Sequence, residues 1–235
     1  MRAVLFDCDG TIADSCGLIC DIMRRVFAEH GLPEPADAET RGIIGLSLDV
    51  AIGRLHPAAE PPLLAAMVEG YRRTFRESRA DAAFRETLFP GMKALVDRLA
   101  ARDDVLLAMV TGKSRRGVAA ICEAHGMETT FHAVRTADDC PSKPHPAMVE
   151  ECCLEFGLDP SQALVVGDSV FDIEMAKTAG ASALGVAWGT HEAAPLLASG
   201  AYAVAETVEE LEALIDAWLP GDPVPSQRGQ WVAAD

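Results

Sequence analysis

Short apolar segments alternate with longer amphipathic ones in the second half of the chain, and this alternation constrains the fold most strongly. It predicts strands at residues 105–110, 131–134, 163–166 and 182–186, separated by helices at 92–102, 115–125, 147–156 and 171–179. Strands that alternate with helices favour a parallel sheet with right-handed crossovers. The predicted fold class is therefore α/β, with a Rossmann-like parallel sheet, helices on both faces and the chemistry in loops at the carboxyl ends of the strands.

The first six residues predict another apolar strand, and two carboxylates follow it. Asp7 and Asp9 are two residues apart, so their side chains are expected to face one spot while Cys8 packs behind them. Thr11, with Asp14 three residues later, predicts a helix start. Neighbouring buried acids are costly unless a cation or a shared proton compensates their charge. The segment therefore predicts a cation site or an acid–base pair.

Two common motifs do not fit the sequence. A calcium-binding loop counted from Asp7 needs glycine at its sixth position and glutamate at its twelfth, where this chain has Ile12 and Leu18. The Gly-Lys-Ser triplet at 112–114 would need a glycine at position 107 to form a nucleotide-binding P-loop, and Leu107 stands there. Both interpretations are rejected.

Residues 15–86 contain no convincing strand and predict an inserted, all-helical domain. Apolar residues between 18 and 26 recur at helical spacing, Ser47 can cap a second helix, and a third begins near Pro62. The predicted organisation is an α/β core formed by 1–14 and 87–219, a helical cap formed by 15–86, and an irregular tail at 220–235.

The strand ending at residue 110 is followed by Thr111 and Gly112. A hydroxyl and a free backbone N–H at a helix entrance suit an anion. Helix capping by Thr111 or Ser114 explains the same residues equally well. Both interpretations stay open on the local sequence.

Three further polar residues are predicted at the ends of later segments. Lys143 lies in a loop stiffened by prolines, which suits either a fixed ammonium in a site or a surface turn. Asp168 follows a strand, and Asp172 is one helical turn further on. Carboxylates in this arrangement suit Mg²⁺, although helix capping is the alternative.

Composition narrows the partners and the compartment. The formal net charge of −16 argues against nucleic acid or an anionic membrane as the main partner. The apolar run at 105–110 is too short to span a bilayer. Seven cysteines in no disulfide-like pattern indicate reduced, packed thiols, and no secretory signal is recognised, so a cytoplasmic location is expected.

The motifs together are more specific than any one of them. Phe-Asp-Cys-Asp-Gly-Thr at 6–11, Thr111, Pro-Ser-Lys-Pro at 141–144 and Gly-Asp-Ser-Val-Phe-Asp-Ile at 167–173 occur in the order found in the haloacid dehalogenase-like hydrolases. The resemblance covers roughly residues 1–210 and is strongest to helical-cap, phosphoglycolate phosphatase-like members. An acid at position 9 makes the dehalogenase branch itself a poor fit.

This resemblance implies a set of roles for the motif residues. Asp7 would attack phosphorus, and Asp9 would act as general acid and then as base, with its pKa raised by neighbouring charge and by closure of the cap. Asp7, Asp168, Asp172 and the backbone carbonyl of Asp9 would form the Mg²⁺ site. The phosphoryl group would be bound and stabilised by Thr111, Gly112 and Lys143.

The resemblance also implies a Mg²⁺-dependent phosphatase, either a monomer or a homodimer, acting on a small phosphorylated metabolite. The first candidate substrate is 2-phosphoglycolate. Alternatives are a pyrophosphatase, a sugar-phosphate mutase and, in a different class, a non-catalytic regulator that binds a phosphometabolite. Candidate specificity residues are Arg41, the turn at 45–47, and the charged residues Lys113, Arg115 and Arg116, each of which also fits a solvated turn or helix start.

Overall fold

The computed structural model describes residues 1–80 and 86–219, and most of its strands form one parallel sheet. The strands in chain order are β1 (Arg2–Phe6), β2 (Ala13–Asp14), β3 (Thr87–Leu88), β4 (Val105–Val110), β5 (Ala133–Arg135), β6 (Ala163–Gly167), β7 (Ser182–Val186) and β8 (Ala203–Ala205). The main sheet has six strands in the order β5-β4-β1-β6-β7-β8. Its pairs are all parallel, which confirms the predicted α/β class.

The helices in chain order are α1 (Cys16–Glu29), α2 (Asp37–Arg41), α3 (Leu48–Leu55), α4 (Pro61–Ala80), α5 (Met92–Ala100), α6 (Arg115–His125), α7 (Ala147–Phe156), α8 (Val170–Ala179), α9 (Ala193–Ser199) and α10 (Val208–Trp218). A 3-10 turn, Pro160–Gln162, precedes β6. Among the described residues, no helix combines the length and the apolar character that a membrane span requires.

The central strand β1 is buried on both faces, as its continuous apolar sequence predicts. Val4 and Phe6 belong to one apolar cluster, which includes residues of α5, α6 and α10. Ala3 and Leu5 belong to a second cluster, which includes residues of α7, α8 and α9. Helices therefore cover both faces of the sheet, and the six-stranded core holds the ends of β1, β4 and β6 in register.

Helices α1 to α4 lie between β2 and β3, inside the predicted insert. β2 and β3 pair antiparallel, with Ala13 opposite Leu88 and Asp14 opposite Thr87. The helices have an apolar cluster of their own, to which Phe171 of α8 also belongs. The helical segment is thus connected to the sheet through a short two-stranded ribbon.

Several local predictions were wrong. No helix starts at Thr11, because residues 13–14 form β2 and α1 begins only at Cys16. Ser47 precedes α3, but its side chain makes no capping hydrogen bond. The short strands β2 and β3, the short helix α2 and the elements α9, β8 and α10 were not predicted. The proposed irregular tail at 220–235 lies outside the described residues.

All seven cysteines are buried and free of disulfides, in agreement with the packed thiols expected from the sequence.

Candidate active site

Polar side chains from three neighbouring strands meet at the carboxyl edge of the sheet. Asp7 directly follows β1, Thr111 follows β4 and Asp168 follows β6, and all three are buried. Asp172 lies in the first turn of α8, immediately beyond Asp168. The parallel register predicted from the sequence therefore brings residues distant along the chain to one edge.

Asp7, Asp168, Asp172 and Lys143 form what we call the acid cluster. One carboxylate oxygen from each aspartate lies within 4.8 Å of the others. The Lys143 ammonium lies 2.6 Å from Asp7 Oδ1 and 2.6 Å from Asp172 Oδ1, and donates a hydrogen bond to each. All four side chains are withdrawn from solvent. Two of the three carboxylates thus pair with one buried cation, and Lys143 is not a solvated residue of a surface turn.

Hydroxyl and backbone donors fix the two later carboxylates. Asp172 Oδ2 accepts hydrogen bonds from Ser169 N and Ser169 Oγ, at 3.1 and 2.6 Å. Asp168 Oδ1 accepts one from Thr11 Oγ1 at 3.0 Å, and its Oδ2 accepts two from Thr190 N and Oγ1 at 2.8 and 2.7 Å. Sequence reasoning missed Thr190, which has no motif around it and reaches Asp168 only through the loop after β7.

The acid cluster fits a divalent cation. Asp7 Oδ2 is buried and has no hydrogen-bond partner among the described residues. Burial raises the pKa of Asp7 well above its usual value, the Lys143 charge opposes this, and Asp172 and Asp168 add to the rise. Burial, reinforced by Asp172, raises the pKa of Asp168 to about 6. Hard carboxylate oxygens with too little compensating charge are the donor set that binds Mg²⁺ and similar ions.

Asp9 belongs to a different group, which we call the Asp9 network and which also contains Lys113, Glu86 and Arg79. The Lys113 ammonium lies 2.7 Å from Asp9 Oδ1 and 2.7 Å from Glu86 Oε1. Glu86 is paired on its other oxygen with Arg79 of α4. Ser15 Oγ donates a 2.6 Å hydrogen bond to Asp9 Oδ1. The carboxylate of Asp9 therefore has hydrogen-bond partners different from those of the three aspartates that could hold a metal ion.

The pKa of Asp9 is lowered, not raised as expected from the sequence. Burial raises it, but the Lys113 charge and the hydrogen bonds from Lys113 and Ser15 outweigh burial. Burial lowers the pKa of Lys113, and the neighbouring Asp9 charge overcomes this and raises it. The expectation failed because the neighbouring charge is an ammonium. In the sequence analysis, Lys113 was named as a candidate specificity residue or part of a charged helix start, but it was not connected with Asp9, although it lies two residues after Thr111 at the same strand end.

The turn at 45–47 lies directly over the end of β4. A Cβ atom added to Gly112 would lie 2.5 Å from Leu46 O and 2.6 Å from Gly45 O, so only glycine fits there. Ser47 N donates a 2.9 Å hydrogen bond to Ser142 Oγ, in the loop that carries Lys143. The helical segment therefore closes over the strand ends in this conformation.

A cavity of about 600 Å³ lies between these strand ends and the helical segment. Asp7, Asp9, Thr111, Gly112 and the turn at 45–47 line it. Thr111 Oγ1 accepts a hydrogen bond from Lys113 N at 3.1 Å. This leaves the hydroxyl proton available to a ligand.

The remaining residues that the sequence analysis singled out do not all lie at the cavity. Ser114 caps α6 by accepting a hydrogen bond from Gly117 N at 3.2 Å. Arg116 and Lys113 line the cavity, whereas Arg41 and Arg115 do not.

Comparisons with known proteins agree with this arrangement. Residues 4–186 match the model of the family described as haloacid dehalogenase-like hydrolase. The chain is similar to the protein named "Probable phosphatase IndB" of Dickeya dadantii, with 32% identity over 88% of this chain and 90% of that protein. It is similar to a phosphoglycolate phosphatase of Chromobacterium violaceum, with 30% identity over 90% of this chain and 95% of that one.

A solved structure of a hydrolase from Pseudomonas syringae has the same fold. It superposes with a TM-score of 0.81 at 20% identity, covering 92% of this chain and 98% of that one. The family match spans β1 to β7 and includes the acid cluster and the helices that close over it. The chain therefore belongs to the haloacid dehalogenase-like hydrolases and resembles the members of that family that are named phosphatases.

Proposed function

We propose that this hydrolase is a Mg²⁺-dependent phosphatase that acts on a small phosphorylated metabolite through an aspartyl-phosphate intermediate on Asp7. The observation that carries the proposal is the unbalanced acid cluster beside the cavity that Asp7 and Asp9 line. A buried carboxylate can act as a nucleophile once its charge is stabilised. Mg²⁺ bound at Asp7 and Asp168, with Asp172 and the backbone carbonyl of Asp9 in support, would keep these carboxylates ionised and offset the phosphate charge.

The chain's own residues account for the two chemical steps. Asp7 attacks phosphorus, the bond from phosphorus to the alcohol oxygen breaks, and Asp9 gives the departing oxygen its proton. Asp9 then takes a proton from the water that attacks the aspartyl phosphate, which restores Asp7 and releases inorganic phosphate. Lys143 holds Asp7 in position throughout, and the Thr111 hydroxyl and the Gly112 N–H bind the phosphoryl oxygens.

Asp9 must carry a proton before the first step, and Lys113 holds it ionised in the free site. A phosphate dianion arriving beside Asp7 competes for the Lys113 ammonium and adds negative charge near Asp9. Both effects raise the pKa of Asp9. We therefore propose that the bound substrate, more than closure of the helical segment, prepares the general acid.

We further propose that residues 15–86 act as a cap on a core formed by 1–14 and 87–219, and that the cap selects the leaving group. The name of the Chromobacterium violaceum relative makes 2-phosphoglycolate the first candidate substrate. Pyrophosphate and sugar phosphates remain alternative substrates of the same chemistry. A regulator that only binds phosphate would not need a second acid at position 9.

The test is phosphate release from 2-phosphoglycolate, pyrophosphate and several sugar phosphates, measured with Mg²⁺ and with a chelator. We expect release from at least one compound, lost on chelation and restored by Mg²⁺. Asp14→Asn, at an exposed carboxylate of β2, is the matched control for Asp7→Asn. Release that persists in Asp7→Asn, or that ignores the chelator, would contradict the proposal.

A further inference from the structure

Four of the residues that line the cavity are arginines from α4 and α6. Arg72, Arg76 and Arg79 are four and three residues apart on α4, so they share one face of that helix, and Arg116 joins them from α6. The chain as a whole has 36 acidic residues against 20 basic ones. A concentration of guanidinium groups at one cavity in so acidic a chain indicates a binding role.

Two of these arginines have carboxylate partners and two do not. Arg79 is paired with Glu86, and Arg76 lies 3.0 Å from Glu69. Arg72 and Arg116 have no acidic partner in the described ranges 1–80 and 86–219. Guanidinium groups without an internal partner are suited to bind an anion through charge-assisted hydrogen bonds.

The neighbouring arginines provide a contrast within the same helices. Arg73 is paired with Glu29, and Arg115 is paired with Asp139. Neither of them lines the cavity. Arg72 and Arg116, the two cavity arginines without an acidic partner, thus differ in pairing from the arginines adjacent to them in sequence.

An apolar wall lies in the same cavity as these arginines and the catalytic aspartates. It contains Ile19, Met23 and Ile44, together with Tyr71 and Phe75. The rings of Tyr71 and Phe75 are stacked, with centroids 6.2 Å apart and planes 28° apart. Phe75 also lies 5.3 Å from the Lys113 ammonium, which contacts Asp9. The apolar surface therefore begins next to the proposed general acid.

The size of the cavity also exceeds the needs of a two-carbon substrate. A volume of about 600 Å³ is typical of sites that enclose a whole organic ligand. A phosphate ester of a two-carbon acid would leave most of the apolar wall uncovered. A planar body placed along Tyr71 and Phe75 would cover it and exclude water from the reacting phosphate.

We propose that the substrate is an organic phosphomonoester in which a planar or apolar body separates the reacting phosphate from a second anionic group bound by Arg72 and Arg116. This inference rests on the proposed phosphatase function and specifies the leaving group of the same site, where the size of the cavity favours a larger substrate than 2-phosphoglycolate, the candidate taken from a relative's name. The phosphate faces Asp7, the body packs on Tyr71 and Phe75, and the distal anion neutralises the two unpaired guanidinium groups.

The probes are 4-(carboxymethyl)phenyl phosphate, its neutral carboxamide analogue, phenyl phosphate and 2-phosphoglycolate. The methylene group insulates the phenol oxygen, so the acid and the amide have nearly the same leaving group. We expect kcat/KM to be about tenfold or more higher for the acid than for the amide, mainly through KM. We also expect the acid to exceed 2-phosphoglycolate.

The variant comparison uses the two arginine pairs. The double variant Arg72→Ala with Arg116→Ala should reduce the acid-to-amide ratio to near one. The double variant Arg73→Ala with Arg115→Ala removes the same number of charges outside the cavity and should keep the ratio of the unmodified protein. Because each ratio is taken within one variant, general losses of activity cancel.

The outcomes separate this inference from the proposed function. No Mg²⁺-dependent release from any probe would overturn the phosphatase proposal. Binding of the acid and the amide to Asp7→Asn protein, measured by calorimetry, would still test the anion site without turnover. Release from phenyl phosphate without a preference for the acid, a preference that survives in Arg72→Ala with Arg116→Ala, or faster release from 2-phosphoglycolate would overturn the inference alone.

Discussion

The acid cluster and the Asp9 network each contain a buried aspartate from the segment after β1 and a lysine, yet their charges balance differently. The acid cluster contains three carboxylates and one ammonium, that of Lys143, which pairs with Asp7 and Asp172. In the Asp9 network, the carboxylates of Asp9 and Glu86 face the cations Lys113 and Arg79. The acid cluster therefore has fewer positive than negative charges, whereas the charges of the Asp9 network balance.

This difference explains why two aspartates of one short motif have opposite pKa shifts. Burial desolvates both, which alone would raise both pKa values. Lys143 is divided between Asp7 and Asp172 and cannot cancel the burial of Asp7. Lys113 and Ser15 together outweigh the burial of Asp9. We infer that the acid cluster, which lacks positive charge, binds an added cation. In the Asp9 network, where the charges balance, the protonation of Asp9 changes only when an anion arrives.

The most severe test replaces each aspartate by asparagine. Asp7→Asn should lower phosphate release by about 10³-fold or more, because the nucleophile is lost. Asp9→Asn should lower kcat on an alkyl phosphate by about 10²-fold to 10⁴-fold, because the leaving group needs the proton. Both are measured as kcat beside Asp14→Asn.

The two replacements should also differ in thermal stability. Asp7→Asn removes one of the uncompensated charges, so Tm should be unchanged or higher in the absence of metal. Asp9→Asn leaves the Lys113 ammonium with one carboxylate fewer, so Tm should fall. A lower Tm for Asp7→Asn than for Asp9→Asn would contradict the difference in charge balance.

Replacing each lysine by methionine tests the balance directly. Lys143→Met leaves three buried carboxylates without a cation and should cost about 3–5 kcal/mol of unfolding free energy. Lys113→Met should cost less, about 1–3 kcal/mol, since Glu86 keeps Arg79 and Asp9 keeps Ser15. Denaturant unfolding without metal measures both. The difference in charge balance would be contradicted if Lys113→Met lost more unfolding free energy than Lys143→Met. It would also be contradicted if Mg²⁺ restored the stability of both variants equally.

The charged residues that meet in the acid cluster were predicted better from the sequence than those of the Asp9 network. The acids of the cluster follow strands, and parallel strands place their carboxyl ends at one edge. The proline-rich loop alone left Lys143 as either a site residue or part of a surface turn, and only the family resemblance implied its place in the site. Its partners could be inferred because the motifs occur in a known order.

The Asp9 network depends on contacts that no spacing encodes. Glu86 lies at the end of the helical segment and Arg79 in α4. Glu86 reaches Lys113, and Arg79 reaches Glu86, only after that segment folds over β4. Thr190 was missed for a similar reason, because it contacts Asp168 only after the loop that follows β7 folds back over the strand ends. The fold followed from periodicity, whereas the protonation of Asp9 required knowledge of which side chains the helical segment brings to it.

The acid cluster and the Asp9 network should also differ in how they contribute to the pH dependence of Mg²⁺ binding. The pKa of Asp168 is raised from 3.8 to about 6, so its contribution to stability without metal is present below about pH 4 and lost as pH rises through 6. A cation binds the ionised form. Apparent Mg²⁺ affinity should therefore be about tenfold weaker at pH 5 than above pH 7, about 1.4 kcal/mol from this carboxylate alone.

The measurement is the rise in Tm caused by Mg²⁺ at several pH values. The raised pKa of Asp7 adds an effect of the same sign. Asp9, whose pKa is lowered, is already ionised across this range and should add nothing. A rise in Tm that is the same at pH 5 and pH 7.5 would show that these carboxylates do not bind the cation.

The smallest expected effects come from removing one hydroxyl from each group. Thr190→Val removes the Oγ1 donor to Asp168 Oδ2 but keeps the backbone donor. It should weaken Mg²⁺ binding about tenfold, because the orientation of a ligand carboxylate depends on its hydrogen-bond partners. Ser15→Ala removes a donor to Asp9, should cost about 1 kcal/mol of stability and should leave Mg²⁺ affinity unchanged. Calorimetric Mg²⁺ titration of both variants decides the matter: equal weakening would mean that the two groups act as a single site and that the difference in their charges has no functional consequence.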